Sequence, residues 1–498
     1  MAWYNYFTIE IPMMLMLFSF ILQAPIMTNL FVYRTCYVIL QYNKSDCAQL
    51  GKNINNITKV LEPKVQPTVN QINMANNVIN TFLPMIFCLF LGTWSDKFGR
   101  RPFMIACFVG ALMNQAVNVI IIHFKDLSPW WFTMGSIPSM LTGGFGALMI
   151  INNAHLIDVT TEKNRIVRLT VFGAVSSVSS AIANLVSSYI FYATSYQTIY
   201  LIGLTLNTLA SVYVFFFIPE SLKEEKKSFS IEEIMNSINV KDIIKYTIRK
   251  RKNNARFYLF WLICIHVLNG LAMGEMSVFT LYLRASKLQW TLTKITLVQS
   301  AVSFGGIFGN LFVTYVLHKF LHIKDMWLVI LGIIMRLVGN LLRGFATNDY
   351  YIYAAYVANF FDSFPMLMLT MVLAKMVSPE EMGKILALIS VISSLVNMLS
   401  NVLYPLVYNA TIDSFIGLFN FVSFGFNVIS GLAIIFLLRV NLPHFCAVDE
   451  QQDNEPSAKR MSLAEAAATN EWQACPSVQT YDLNMKKLSI TTSVGENF

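Results

Sequence analysis

A chain of 498 residues in which 55% are hydrophobic, only 13% are charged and the mean hydropathy is +0.53 does not have the composition of a soluble globule. The net charge of +8 has the sign expected of basic loops that orient a membrane protein, so it calls for no nucleic-acid partner. No phosphate-cradling Gly-rich loop, His-Glu-x-x-His helix or nucleophile motif is present, which argues against an enzyme and leaves no cofactor to place.

Apolar windows of about 20 residues, the length that crosses a bilayer as a helix, recur twelve times. They lie near 9–33, 74–95, 102–123, 131–157, 166–191, 197–218, 257–283, 292–318, 325–345, 350–376, 383–408 and 413–439. The fold class this predicts is an all-α membrane protein with twelve transmembrane helices in two six-helix bundles. The first bundle spans 1–218, a cytoplasmic linker 219–256, the second bundle 257–440 and a cytoplasmic tail 441–498 of disordered composition. Met1 to Glu10 lacks a basic start, so the first span is expected to serve as its own insertion signal. Pro25, Pro84, Pro138 and Pro365 are predicted to kink their helices.

In span one, Gln23 stands beside Pro25 and is a candidate for lining a central cavity. The following loop carries the sequons Asn43-Lys44-Ser45 and Asn56-Ile57-Thr58, and a third, Asn409-Ala410-Thr411, follows span eleven. All three fall on the side opposite both termini if the termini are cytoplasmic, and the Lys and Arg excess on the terminal side agrees. Of seven cysteines, only Cys36 and Cys47 face the oxidising side, where they either bridge or stay free.

Span two carries Asn76, Asn77 and Asn80 at helical spacing, which reads either as a cavity-facing stripe or as interhelical hydrogen bonding. Between spans two and three the run Gly92-Thr93-Trp94-Ser95-Asp96-Lys97-Phe98-Gly99-Arg100-Arg101 is expected to form a short charged turn. In it Gly92 admits a neighbouring helix and Gly99 takes a left-handed conformation. Asp96 accepts from a facing helix N-terminus, Arg100 and Arg101 pin the turn to the cytoplasmic face, and the stretch from Asp96 through Lys97 to Arg101 is expected to hold the inner side shut by contacting the second bundle. Span four ends in Asp158-Val159-Thr160, followed by Asn164 and Arg165, and span six in Pro219-Glu220-Ser221. The serines of span five, Ser176, Ser177, Ser179 and Ser180, read as close helix packing.

The linker holds ten Lys and Arg against six Asp and Glu, and its residues 230–249 read either as an amphipathic surface helix or as a solvated connector. In the second half, buried ionisable groups are the candidates for function, because charge at mid-bilayer is costly. Glu275 in span seven is the better candidate for proton coupling, while His266, nine residues earlier and on the opposite face, reads equally as a functional group or as a packing histidine. Arg336 in span nine and Asp362 in span ten read first as a structural ion pair and second as substrate contacts, with Asn359 flanking.

The spacing Gly92-x-x-x-Asp96-Lys97-x-Gly99-Arg100-Arg101, the Asp158 to Thr160 turn and the Pro219-Glu220-Ser221 ending resemble the major facilitator superfamily. The stretches 21–28, 143–146, 374–377 and 381–384 resemble its proton-coupled folate transporter family. The resemblance implies a secondary transporter of small organic solutes, organic anions above all, working by alternating access and coupled to protons. As aligned, the chain carries Gly144, Gly173, Ala272 and Thr370 where the vertebrate folate transporter is polar or charged, so it is a divergent member. Gln289 replaces that family's cysteine, which would have partnered Cys47. With no sorting signal in the tail, the plasma membrane is favoured over the lysosome. The expected partners are a small-molecule substrate and the lipid bilayer. A second reading is a non-transporting sensor or scaffold derived from a transporter, which measured flux would separate.

Overall fold

The computed structural model describes residues 9–160, 162–221, 255–285, 287–312, 325–361 and 379–439, with isolated positions between them. Among the described residues the chain is helical throughout, and nine segments are long and apolar enough to cross a membrane. These are α1 (Glu10–Ile39), α3 (Arg100–His123), α4 (Trp131–Leu156), α5 (Val171–Ala193, within the helix Glu162–Ala193), α6 (Tyr196–Phe217), α7 (Arg256–Ala285), α9 (Trp327–Gly344), α11 (Val391–Thr411, within Pro379–Thr411) and α12 (Leu418–Arg439). Three further helices stand where the sequence places spans two, eight and ten: α2 (Asn56–Phe98), α8 (Leu292–Phe312) and α10 (Asp349–Ala358).

Two boundaries differ from expectation. The helix α2 begins at Asn56 rather than near 74, and runs 43 residues through Pro63, Pro67 and Pro84. Its start is fixed by a reciprocal cap: Asn55 accepts from the Thr58 N–H at 2.8 Å while the Thr58 hydroxyl accepts from the Asn55 N–H at 3.0 Å. At the other end α2 stays helical to Phe98, so the charged run 92–101 is helix apart from Gly99. Pro138, predicted to kink α4, lies in a short helix of its own, Ile137–Leu141, and α4 is a broken series that resumes at Gly144–Val159.

Helix neighbours repeat between the halves. In the first half α1 packs on α5 and α6, and α3 on α6 and α4; in the second, α7 packs on α11 and α12, and α9 on α12 and α10. Adding six to each number converts one set into the other. The contacts that join the halves, α5 with α8 and α2 with α11, exchange under the same operation. The chain is therefore an internal repeat related by an approximate two-fold.

The core shows which end of the seam is closed. Toward the end that carries the Cys36 to Cys47 loop, here the disulfide face, one apolar cluster takes residues from both halves, including Leu22, Tyr200, Leu281 and Tyr408. Toward the end that carries Gly99, here the motif face, two clusters remain separate. One is built from the first half, such as Met13, Met104 and Val214, and the other from the second, such as Leu262, Val329 and Ile434. Hydrogen bonds across the seam follow suit. Gln66 donates to Leu281 O at 3.0 Å, Tyr408 donates to Gln66 at 2.6 Å, and Thr296 donates to Ser188 at 2.8 Å. Among the described residues these bonds gather on the disulfide half.

Candidate functional site: a buried charge pair and two faces

The 3-10 turn Met273–Glu275 interrupts α7 and turns the Glu275 carboxylate into the second half. There it meets Arg343, the penultimate residue of α9, in a hydrogen-bonded ion pair whose side chains are 6% and 1% exposed. Asn340, one turn earlier on α9, adds to the cluster. With its amide nitrogen toward the carboxylate it donates to both Glu275 oxygens at 3.2 and 3.3 Å and accepts from Asn427 of α12 at 3.2 Å. A further turn back, Arg336 donates to Asn269 at 3.2 Å, and Asn269 donates to Ser430 at 2.7 Å. Glu275, Arg336, Asn340, Asn359 and Asn427 line one small pocket of about 270 Å³ including its open mouth. The guanidinium and amide donors compensate the burial of the carboxylate.

Glu275 and Arg336 thus share one pocket, and Asn359 joins them. Asp362, the expected partner of Arg336, lies outside the described residues. His266 pairs with Ser393 of α11 at 2.9 Å and is buried. Gln23 stands elsewhere: it donates to Ser19 at 3.0 Å and accepts from Gln115 of α3 at 2.9 Å, beneath Gly203 of α6. It packs the interior of the first half, a correction to its expected place in a central cavity. The asparagines of α2 divide. Asn77 donates across the seam to Asn401 of α11 at 3.4 Å, Asn80 is exposed and donates to the Asn76 carbonyl at 2.9 Å, and Asn76 is buried.

On the motif face the turn is narrower than expected, and Glu220 supplies an acceptor there. Gly99 has φ +97 and ψ 154, a conformation essentially reserved for glycine but not the left-handed helical one. The carboxylate of Glu220 sits where a Cβ would go, 2.5 Å from it. That carboxylate accepts from the backbone N–H of Arg100 at 2.8 Å and of Arg101 at 3.1 Å, so Glu220 caps the N-terminus of α3. Arg100 pairs with Asp158 at 3.0 Å, and Arg101 donates to Phe215 O at 2.6 Å. These partners all belong to the first half, so the contact with the second bundle expected of this motif is not among the described ones. Gly92 lies in α2, and the side chains of Asp96, Lys97 and Arg165 lie outside the described residues, as do the linker stretch 230–249 and the tail. Arg168, one turn beyond Arg165, pairs with Glu10 at 2.9 Å.

On the disulfide face Cys36 and Cys47 are bonded to each other, so Cys47 has a partner despite Gln289. Asn43 caps the short helix Lys44–Cys47, and Asn56 is exposed at the first turn of α2. Asn409 differs. It accepts from Asn70 at 3.0 Å and donates to Pro67 O at 3.2 Å inside the seam. Glu62 and Arg284 form a second buried pair across the same seam, at 2.7 Å. The sequence reading missed it because Glu62 fell in an expected loop. It missed Arg343 because that residue stands at the end of its span, where charge is ordinary.

Comparisons agree with this architecture. Residues 10–401 match the family model described as Major Facilitator Superfamily. The chain is 27% identical to a probable peptidoglycan muropeptide transporter of Drosophila melanogaster, over 85% of this chain and 84% of that one. It is 22% identical to the proton-coupled folate transporter of Rattus norvegicus, over 86% of this chain and 91% of that one. The solved structure of the POT family transporter PepTSo superposes with a TM-score of 0.64 at 11% identity, covering 88% of this chain and 98% of that one. The family and these relatives are membrane transporters rather than enzymes. The chain belongs to the major facilitator superfamily, as a divergent relative of the proton-coupled folate transporter family.

Proposed function

We propose that this transporter carries a small organic anion together with protons, and that Glu275 is the proton-binding group. The observation that carries the reading is the Glu275 to Arg343 pair at the break in α7, beside a pocket that also holds Arg336. A proton on Glu275 removes the charge that holds Arg343, and the guanidinium is then available to an anionic substrate; loss of the proton restores the pair and expels the anion. Substrate and proton thus bind together without either occupying the other's atoms.

Closure at the disulfide face supports reading the described conformation as one end of an alternating-access cycle. With the basic-residue excess and the sequons Asn43 and Asn56, we assign the motif face to the cytoplasm, with both termini there and the plasma membrane as location. The substrate class follows the relatives, a proton-coupled folate transporter and a probable peptidoglycan muropeptide transporter. The test is uptake of radiolabelled organic anions, folate and muropeptides among them, into proteoliposomes of the full chain with and without an inward proton gradient. At least one anion is expected to accumulate only with the gradient, and Glu275→Gln to abolish that dependence. Gradient-independent uptake of every anion carried, or no uptake of any, would overturn the reading.

A further inference from the structure

A second pocket opens on the disulfide face, at the seam and away from Glu275. It measures about 380 Å³ including its mouth, and its lining includes Ile54, Lys59, Glu62, Arg284, Gln289 and Trp290. Arg284 is 2% exposed, and Glu62 Oε1 stands 2.7 Å from its Nε. Neither Nη1 nor Nη2 of Arg284 has a hydrogen-bond partner among the described residues. Gly51, with φ +79, brings the disulfide-anchored loop beside the guanidinium; a Cβ there would stand 2.8 Å from Nη2.

Each guanidinium nitrogen left without an acceptor in a buried place is costly, and a fork of two Nη groups matches the two oxygens of a carboxylate. With Lys59 also on the lining, the pocket holds two cations against the single carboxylate of Glu62. Ile54, 55% exposed, offers apolar surface at the same place.

We propose that this pocket is a binding site for a small organic carboxylate with an apolar body, gripped by the Nη edge of Arg284 and attracted by Lys59. Its occupant draws on the same guanidinium that Glu62 holds across the seam. The site stands independently of the Glu275 reading, because its test measures no transport.

The test uses the full chain carrying Ile54→Cys in lipid nanodiscs, where both faces are reachable. Labelling at that position by a negatively charged methanethiosulfonate reagent is followed by mass spectrometry while benzoate is titrated. Saturating benzoate is expected to slow labelling about tenfold, the scale on which a cationic cleft concentrates an anion. The uncharged isostere benzamide should leave the rate unchanged. Arg284→Gln should remove the protection, and Glu62→Gln should lower the half-protecting benzoate concentration. Failure of benzoate to protect, equal protection by benzamide, protection that survives Arg284→Gln, or an unchanged benzoate midpoint in Glu62→Gln would overturn the proposal. Where Arg284→Gln does not fold, the benzamide and Glu62→Gln arms decide it.

Discussion

Arg343, the penultimate residue of α9, closes on Glu275 where α7 leaves α-helical hydrogen bonding for a 3-10 turn. The pair is buried on both sides, so neither charge has water to fall back on. Removing one partner is therefore worse than removing both. Arg343→Met is expected to destabilise the protein by about 3–5 kcal/mol, read as a lower melting midpoint in detergent. The double variant Glu275→Gln with Arg343→Met should recover most of that loss. A double variant no more stable than Arg343→Met would show that the pair is not what Arg343 contributes.

The disulfide ties the end of α1 to the loop that passes over the seam. Cys36 and Cys47 are 11 residues apart, and closing a loop of that size contributes about 2–3 kcal/mol in the chain-entropy account. Reduction, or Cys47→Ser, should lower the melting midpoint and raise labelling of seam residues such as Asn70 replaced by Cys. An unchanged midpoint with two more titratable thiols would show that the bond does not brace this face.

At the motif face the Gly99 to Glu220 contact leaves no room for a side chain. Gly99→Ala meets both an unfavourable backbone conformation, about 1–3 kcal/mol, and the Glu220 carboxylate. The Glu220→Ala variant frees the N–H groups of Arg100 and Arg101, at about 1–2 kcal/mol. Melting midpoints should fall in both, more in Gly99→Ala. Equal stability of Gly99→Ala and the parent would mean that α2 and α3 meet in some other way.

Much of this molecule was legible because its helices announce themselves by length and apolarity, and Glu275 and Arg336 because charge in an apolar window is conspicuous. What escaped lay where local signals mislead. Pro63 and Pro67 made the start of α2 look like loop and so hid Glu62, whose partner Arg284 ends a span. The charged run 92–101 looked like a turn because charge usually marks one, yet a single glycine suffices. Gln23 and Glu275 both look like cavity residues in sequence. Only packing separates a glutamine satisfied by Ser19 and Gln115 from a carboxylate set against Arg343.

The seam also sorts the sequons. Asn43 and Asn56 stand at exposed helix starts, whereas both ends of the Asn409 amide are engaged between α2 and α11. Expressed in a eukaryotic cell, Asn43→Gln and Asn56→Gln should each raise gel mobility by one glycan, and Asn409→Gln should leave it unchanged. A mobility change from Asn409→Gln alone would contradict the seam contacts.

Alternating access is tested most directly by spin-label distances at the two faces. One pair replaces the exposed Val60 and Tyr350 on opposite halves at the disulfide face, and the other replaces Phe217 and Arg439 at the motif face. Shifting from neutral to mildly acidic pH should move the two distance populations in opposite directions, one face widening as the other narrows, and Glu275→Gln should abolish the shift. Two faces that widen together, or distances that never change, would contradict the account.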